Sequence, residues 1–125
     1  MIFLEKLRAM LRLRHGRAIH AELRPVIDEI SVAWPFTDAA VDVSPAAPGV
    51  YLLYENVRLI YIGLAVNGSS IRDELAAHRR GAHGERTRGA TAFIYELARD
   101  PRALHRRYLS EHRARFAGRL PTGNE

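Results

Sequence analysis

Two tyrosines with nine residues between them, Tyr51 and Tyr61, belong to tripeptides that each carry a glycine, Gly49-Val50-Tyr51 and Tyr61-Ile62-Gly63. His78 follows in the next helical pattern. Phenols and an imidazole are proton-transfer groups, but a phenol with a reference pKa of about 10 is a poor base near neutrality unless a cation favours the phenolate. Chemistry at these tyrosines therefore calls for positive charge close by. Without the flanking glycines the pair would read as ordinary cross-strand packing.

The chain is rich in that charge, and the charge is segregated. Eighteen of its nineteen basic residues are arginine, and the net charge is +5. Met1 to Arg24 holds six basic and two acidic residues, Arg72 to Arg119 twelve and six, whereas Pro25 to Ile71 holds one and five. Arginine presents a planar fork that suits phosphate, so the two ends are compatible with a nucleic-acid backbone. The same clusters also fit plain solvated helix faces.

Positioning the tyrosines falls to a β-hairpin. Gly49 to Tyr54 and Arg58 to Gly63 are apolar runs flanking the polar break Glu55-Asn56. A three-residue loop Glu55-Asn56-Val57, with Asn56 at positive φ, pairs Tyr51 with Tyr61 and Gly49 with Gly63, which puts both rings on one face. A two-residue loop pairs Tyr51 with Ile60 and Tyr61 with Val50, sending the rings to opposite faces.

After the hairpin, Asn67-Gly68 marks a turn, Ser70 is an N-cap with Asp73 at the capping-box position, and Gly81 is a stop. Along this helix Ile71, Leu75 and His78 share the buried side, leaving Arg72, Ala76, Arg79 and Arg80 to solvent or substrate. Gly81 to Gly89 reads as a mobile loop. Ala90 to Leu97 is the third strand, and Asp100-Pro101 starts a last helix to about Ala117.

Before the hairpin, Ser31 to Pro48 reads as a connector with an edge strand at Ala40 to Val43, and with Trp34 and Phe36 covering the core. Met1 to Leu13 has an amphipathic helical pattern, followed by further helical turns at Ile19 to Leu23 and from Pro25. That basic arm can pack on the domain, lie on an anionic membrane, pair two copies as a homodimer, or extend a DNA-binding face.

The paired tripeptides, the Ser-capped helix with His78 and Arg79, and the closing Pro121-Thr122-Gly123-Asn124 together resemble the GIY-YIG nuclease domain. The resemblance covers residues 46–125 and leaves 1–45 as a basic helical extension and connector. It implies an α/β fold, a small three-stranded, mostly antiparallel sheet flanked by helices. It also implies a metal-dependent DNA endonuclease, with magnesium or manganese as cofactor. Tyr51 would activate water, Tyr61 would line the same site, and His78 would assist. Arg79, Arg80, Arg86 and Arg88 are the candidate nucleic-acid contacts.

Two positions depart from the family pattern. The family's arginine slot, one residue before the leucine that precedes the histidine, is Glu74 here, with Arg72 or Arg79 as replacements. Arg72 is two residues from that slot, a rotation of about 200° around a helix. The family's metal carboxylate falls at His105, or at Glu111 when counted back from Pro121. His105 lies nearer the apolar stripe, but an imidazole suits magnesium poorly. Two outcomes stay open, a rearranged site using Glu74 and His105, or a catalytically silent module that binds nucleic acid or another protein.

Composition limits the rest. The chain of 125 residues with 47% apolar content is the size of one domain. No apolar run reaches the twenty or so residues of a membrane span. With no cysteine there is neither a disulfide framework nor a thiolate metal site, and with no secretory pattern the expected location is the cytoplasm.

Overall fold

The computed structural model describes residues 33–125. The expected helices of the N-terminal arm, and any dimer or membrane contact through them, lie outside the described residues. The elements are β1 (Ala33–Pro35), α1 (Asp38–Asp42), β2 (Gly49–Glu55), β3 (Arg58–Ala65), α2 (Ile71–Arg79), α3 (Glu85–Arg88), β4 (Ala92–Glu96), α4 (Pro101–Arg115) and a final 3-10 turn, Thr122–Asn124. The expected α/β class holds. The sheet has four strands rather than three, all antiparallel, in the order β1-β4-β2-β3.

The fourth strand changes the expected boundary and the reading of the connector. Ala33, Trp34 and Pro35 pair with β4, so the folded unit takes in residues well before 46. Pro35 is tolerated because β1 is the sheet edge, where a missing N–H removes nothing from the ladder. The expected edge strand at Ala40 to Val43 is instead largely the short helix α1, started by Thr37, whose hydroxyl accepts from the Ala40 amide. A stretch of four residues, three of them apolar, does not distinguish strand from helix; the cap before it does.

Helices cover both faces of the sheet. Val50, Leu52, Tyr54, Ile62 and Ile94 face α4 and meet Tyr108, while Tyr51, Leu53, Ile60 and Phe93 face α1 and α2 and meet Val41, Ile71 and Leu75. Because β2 is central and covered on both sides, Gly49 to Tyr54 is buried throughout. Burial of each large side chain there contributes roughly 1.5–3 kcal/mol. Tyr108 also anchors α4 by donating its hydroxyl to Glu96 at the end of β4. Among the described residues no helix is long and apolar enough to cross a membrane.

The hairpin register corrects both expectations. Glu55 pairs with Arg58 around a two-residue connection, Asn56-Val57, with Asn56 at φ 56° as expected. Beyond it the ladder slips: Tyr54 pairs with Leu59 but Leu53 with Tyr61, leaving Ile60 as a bulged residue. Tyr51 therefore stands opposite Gly63, and Gly49 opposite Ala65. Tyr61 is displaced by two residues from the expected partner, and two residues is one full pleat. Both rings remain on the α2 face.

Candidate functional site

Tyr51 occupies the middle of the sheet, between Gly63 of β3 and Tyr95 of β4. A Cβ at position 63 would overlap the Tyr51 ring, so the glycine is what lets the ring lie flat across β3. The bulge at Ile60 turns Tyr61 to the same side, and the two ring centroids are 6.0 Å apart. From above, the last turn of α2 presents His78, which is fully buried, with its ring 5.5 Å from that of Tyr51 and 4.8 Å from that of Tyr61.

A buried hydrogen-bonded chain runs through this histidine. Tyr51 Oη lies 2.8 Å from His78 Nε2, and His78 Nδ1 lies 2.7 Å from Thr87 Oγ1. Thr87 comes from α3, inside the stretch expected to be a mobile loop. Instead Gly81 and Gly84, both at positive φ, let the chain double back and seat Thr87 against the histidine. The hydroxyl supplies the second partner that a buried imidazole needs.

Glu74, one turn before His78 on α2, brings a carboxylate to the same place. Its two oxygens are held by Ser69 Oγ at 2.6 Å and by His83 Nε2 at 3.2 Å. The His83 ring in turn lies 4.2 Å from that of His78. The electrostatics follow from burial and this charge. Desolvation pushes the Tyr51 phenol far above its ordinary value, and Tyr61 and Glu74 add to the shift. Tyr61 is raised as well, first by burial and also by Glu74, against a hydrogen bond from Tyr51 that lowers it. His78 is lowered from 6.5 to about 3, chiefly by burial and further by His83, so its ring is neutral at physiological pH.

The structure thus gathers three of the four expected catalytic residues, Tyr51, Tyr61 and His78. The fourth, Arg72, goes elsewhere. Its Nε donates to the Ser44 carbonyl at 2.9 Å, on a flank of α2 about 160° around the axis from Glu74. Arg79 leaves by that same flank to bond Asp38 and the Phe36 carbonyl, each at 2.6 Å, with its guanidinium over the Phe36 ring. Arg80 joins it beside Asp38 and Asp42 around a cavity of about 480 Å³. Neither Arg72 nor Arg79 replaces the missing arginine.

The remaining arginines of the expected nucleic-acid set, Arg86 and Arg88, are on α3 itself. Arg86 donates to the Thr122 carbonyl at 2.9 Å, and Arg88 pairs with Glu85 at 3.3 Å. Residues that sequence reasoning did not assign to the site are His83 and Thr87. Their only signal was the pair of glycines, Gly81 and Gly84, that permits the reversal.

Neither expected metal ligand faces the tyrosines. His105 Nε2 donates to the Ile62 carbonyl at 3.1 Å, and Asn124 brackets the same residue, accepting from its N–H at 2.8 Å and donating to its carbonyl at 2.9 Å. That side-chain amide imitates a neighbouring strand and closes the β3 edge. Glu111 is exposed and pairs with Arg107 at 3.6 Å. A hard cation wants several oxygen donors. Glu74 already uses both of its oxygens, and among the described residues no three His, Asp or Glu side chains converge. The donors present do not fit the magnesium or manganese that the resemblance implied. Comparison with protein-family models, with curated proteins and with solved structures returned no match.

Proposed function

We propose that this chain is a divergent GIY-YIG-type domain that binds nucleic acid, DNA foremost, and does not hydrolyse it by the metal-assisted route of that family. The observation that carries this reading is the Glu74 carboxylate, held by Ser69 and His83 where positive charge is needed. Phosphodiester cleavage requires donors or cations on the phosphoryl oxygens, each such donor being worth about 3–4 kcal/mol. A carboxylate works in the opposite direction. Two unit negative charges about 4 Å apart repel by roughly 4 kcal/mol at the effective dielectric of a protein surface.

Burial, to which Tyr61 and the same Glu74 charge add, keeps Tyr51 protonated and removes it as a base. Support for a nucleic-acid partner comes from the arginine-rich ends of the chain. The test is binding of a labelled DNA across a series of sodium chloride concentrations. The expected result is log K falling linearly with log[salt], while the oligonucleotide is recovered at full length. Binding that ignores salt, or no binding, rejects the reading.

One observation favours a second reading, a rearranged hydrolase. The hydrogen-bonded chain from Tyr51 through His78 to Thr87 fixes the phenol oxygen beside Tyr61, as a hydrolase using this pair would need. That reading requires nicking of DNA in the presence of magnesium or manganese, lost in Tyr51→Phe.

A further inference from the structure

Among the described residues some arginines are held by the protein and others are not, and three of the latter share one line of α4. Arg72, Arg79, Arg86, Arg88, Arg107 and Arg119 each hold a carbonyl or a carboxylate of the protein itself. Arg102, Arg106 and Arg113 of α4 are exposed and make no hydrogen bond or ion pair with the described residues. On a 3.6-residue helix these three lie within about 40° of one another, a single line some 16 Å long. The acidic side chain of α4, Glu111, points away from that line and is engaged by Arg107.

The line ends at an aromatic ring. Phe116 is one turn beyond Arg113, on the same side, and it is 38% exposed. One face of the ring is covered by His112, whose centroid is 4.4 Å away in a stacked arrangement. His112 is itself fixed, with Nδ1 donating to the Arg119 carbonyl at 2.8 Å. Phe116 also helps line a cavity of about 240 Å³ floored by Leu59 and Leu120, with Arg58 and Arg119 beside it. This is below the roughly 300–1,000 Å³ of pockets that enclose a whole drug-sized ligand. It is room for one planar ring with charge at its edge.

We infer that α4 is a binding track for single-stranded nucleic acid, with the backbone phosphates along Arg102, Arg106 and Arg113 and one unpaired base stacked on Phe116 in the cavity at the helix end. Cationic grooves that follow a backbone, combined with aromatic platforms for bases, are how single strands are held without reading sequence. A duplex keeps its bases stacked on each other and cannot offer one to Phe116. An anionic membrane would meet arginines with only this one ring to insert. The inference rests on the nucleic-acid reading given above and adds to it a surface and a strand preference.

Fluorescence anisotropy of a labelled twelve-nucleotide DNA strand and of its blunt duplex tests it on the full chain. The expected result is tighter binding of the single strand, weakened about tenfold by Phe116→Ala and retained by Phe116→Tyr, which keeps the π-face. Replacing Arg102, Arg106 and Arg113 together by glutamine should lower the slope of log K against log[salt] by about 2. Equal affinity for duplex and single strand, unchanged by Phe116→Ala and by the triple substitution, overturns this inference while leaving the nucleic-acid reading intact. No binding of either DNA overturns both, as does capture only by phosphatidylserine vesicles.

Discussion

Glu74 acts on two phenols at once, because a position four residues before His78 projects from α2 toward the same face of the sheet that carries Tyr51 and Tyr61. Its negative charge opposes ionisation of both rings. Glu74→Gln is therefore expected to bring the ionisation midpoint of Tyr61 down toward the ordinary tyrosine value, read from phenolate absorbance in an alkaline titration; an unchanged curve would contradict the assignment. His78 gives a second prediction, at acid pH. Its folded pKa of about 3 lies below the unfolded 6.5, so between those values the unfolded chain binds the proton that the folded one refuses. The contribution to stability is complete above about 6.5 and is lost as pH falls toward 3. In urea melts from about pH 8 down to about pH 4, His78→Gln should flatten the decline in midpoint relative to wild type, whatever its effect on the midpoint at neutral pH. The tyrosines and histidine were legible as a group because each sits in a pattern with strong local meaning. The arginines were not, since a long side chain can turn to a carbonyl such as that of Ser44 or Phe36, and nothing in the neighbouring residues announces it.

At the scale of elements, the hairpin works through one irregularity. The bulge at Ile60 lets a two-residue turn coexist with both tyrosine rings on one side, and it directs the ring of Tyr51 onto Gly63 rather than onto Tyr61. Gly63→Ala would force the Tyr51 ring away from His78. An overpacking cost of about 1–3 kcal/mol is expected in chemical denaturation, together with loss of Thr87 protection in α3; a neutral substitution would show that the ring does not lie where described. Caps and turns were readable in advance, as Ser70, Asp100 and Asn56 illustrate, because they depend on a few adjacent residues. The bulge was not, since it is set by contacts far apart in the chain. The bulged segment of β3 leaves no room for a side chain at Gly123, whose added Cβ would come within 2.6 Å of the Ile60 carbonyl. The short strand β1 was missed for a similar reason, its three residues being ordered by pairing with β4 between 57 and 61 positions away.

At the scale of the molecule, the arginines of the described residues differ in what they touch. Arg72 and Arg79 tie α2 to the segment between Phe36 and Ser44, and Arg86 ties α3 to the C-terminal turn, so part of what looks like a phosphate surface in the sequence is internal bracing. Arg102, Arg106 and Arg113 remain turned outward along α4, away from the tyrosines of the opposite sheet face. The proposed binding track and the tyrosine pocket thereby lie on opposite sides of the sheet. The central claim is that a carboxylate at the tyrosine pair leaves a domain that holds DNA without cutting it, and supercoiled plasmid tests this directly. At a protein concentration that retards the plasmid in a gel, with magnesium or manganese present, wild type and Tyr51→Phe should both leave it supercoiled. Time-dependent nicking by wild type that disappears in Tyr51→Phe would contradict the account and establish the site as a working nuclease.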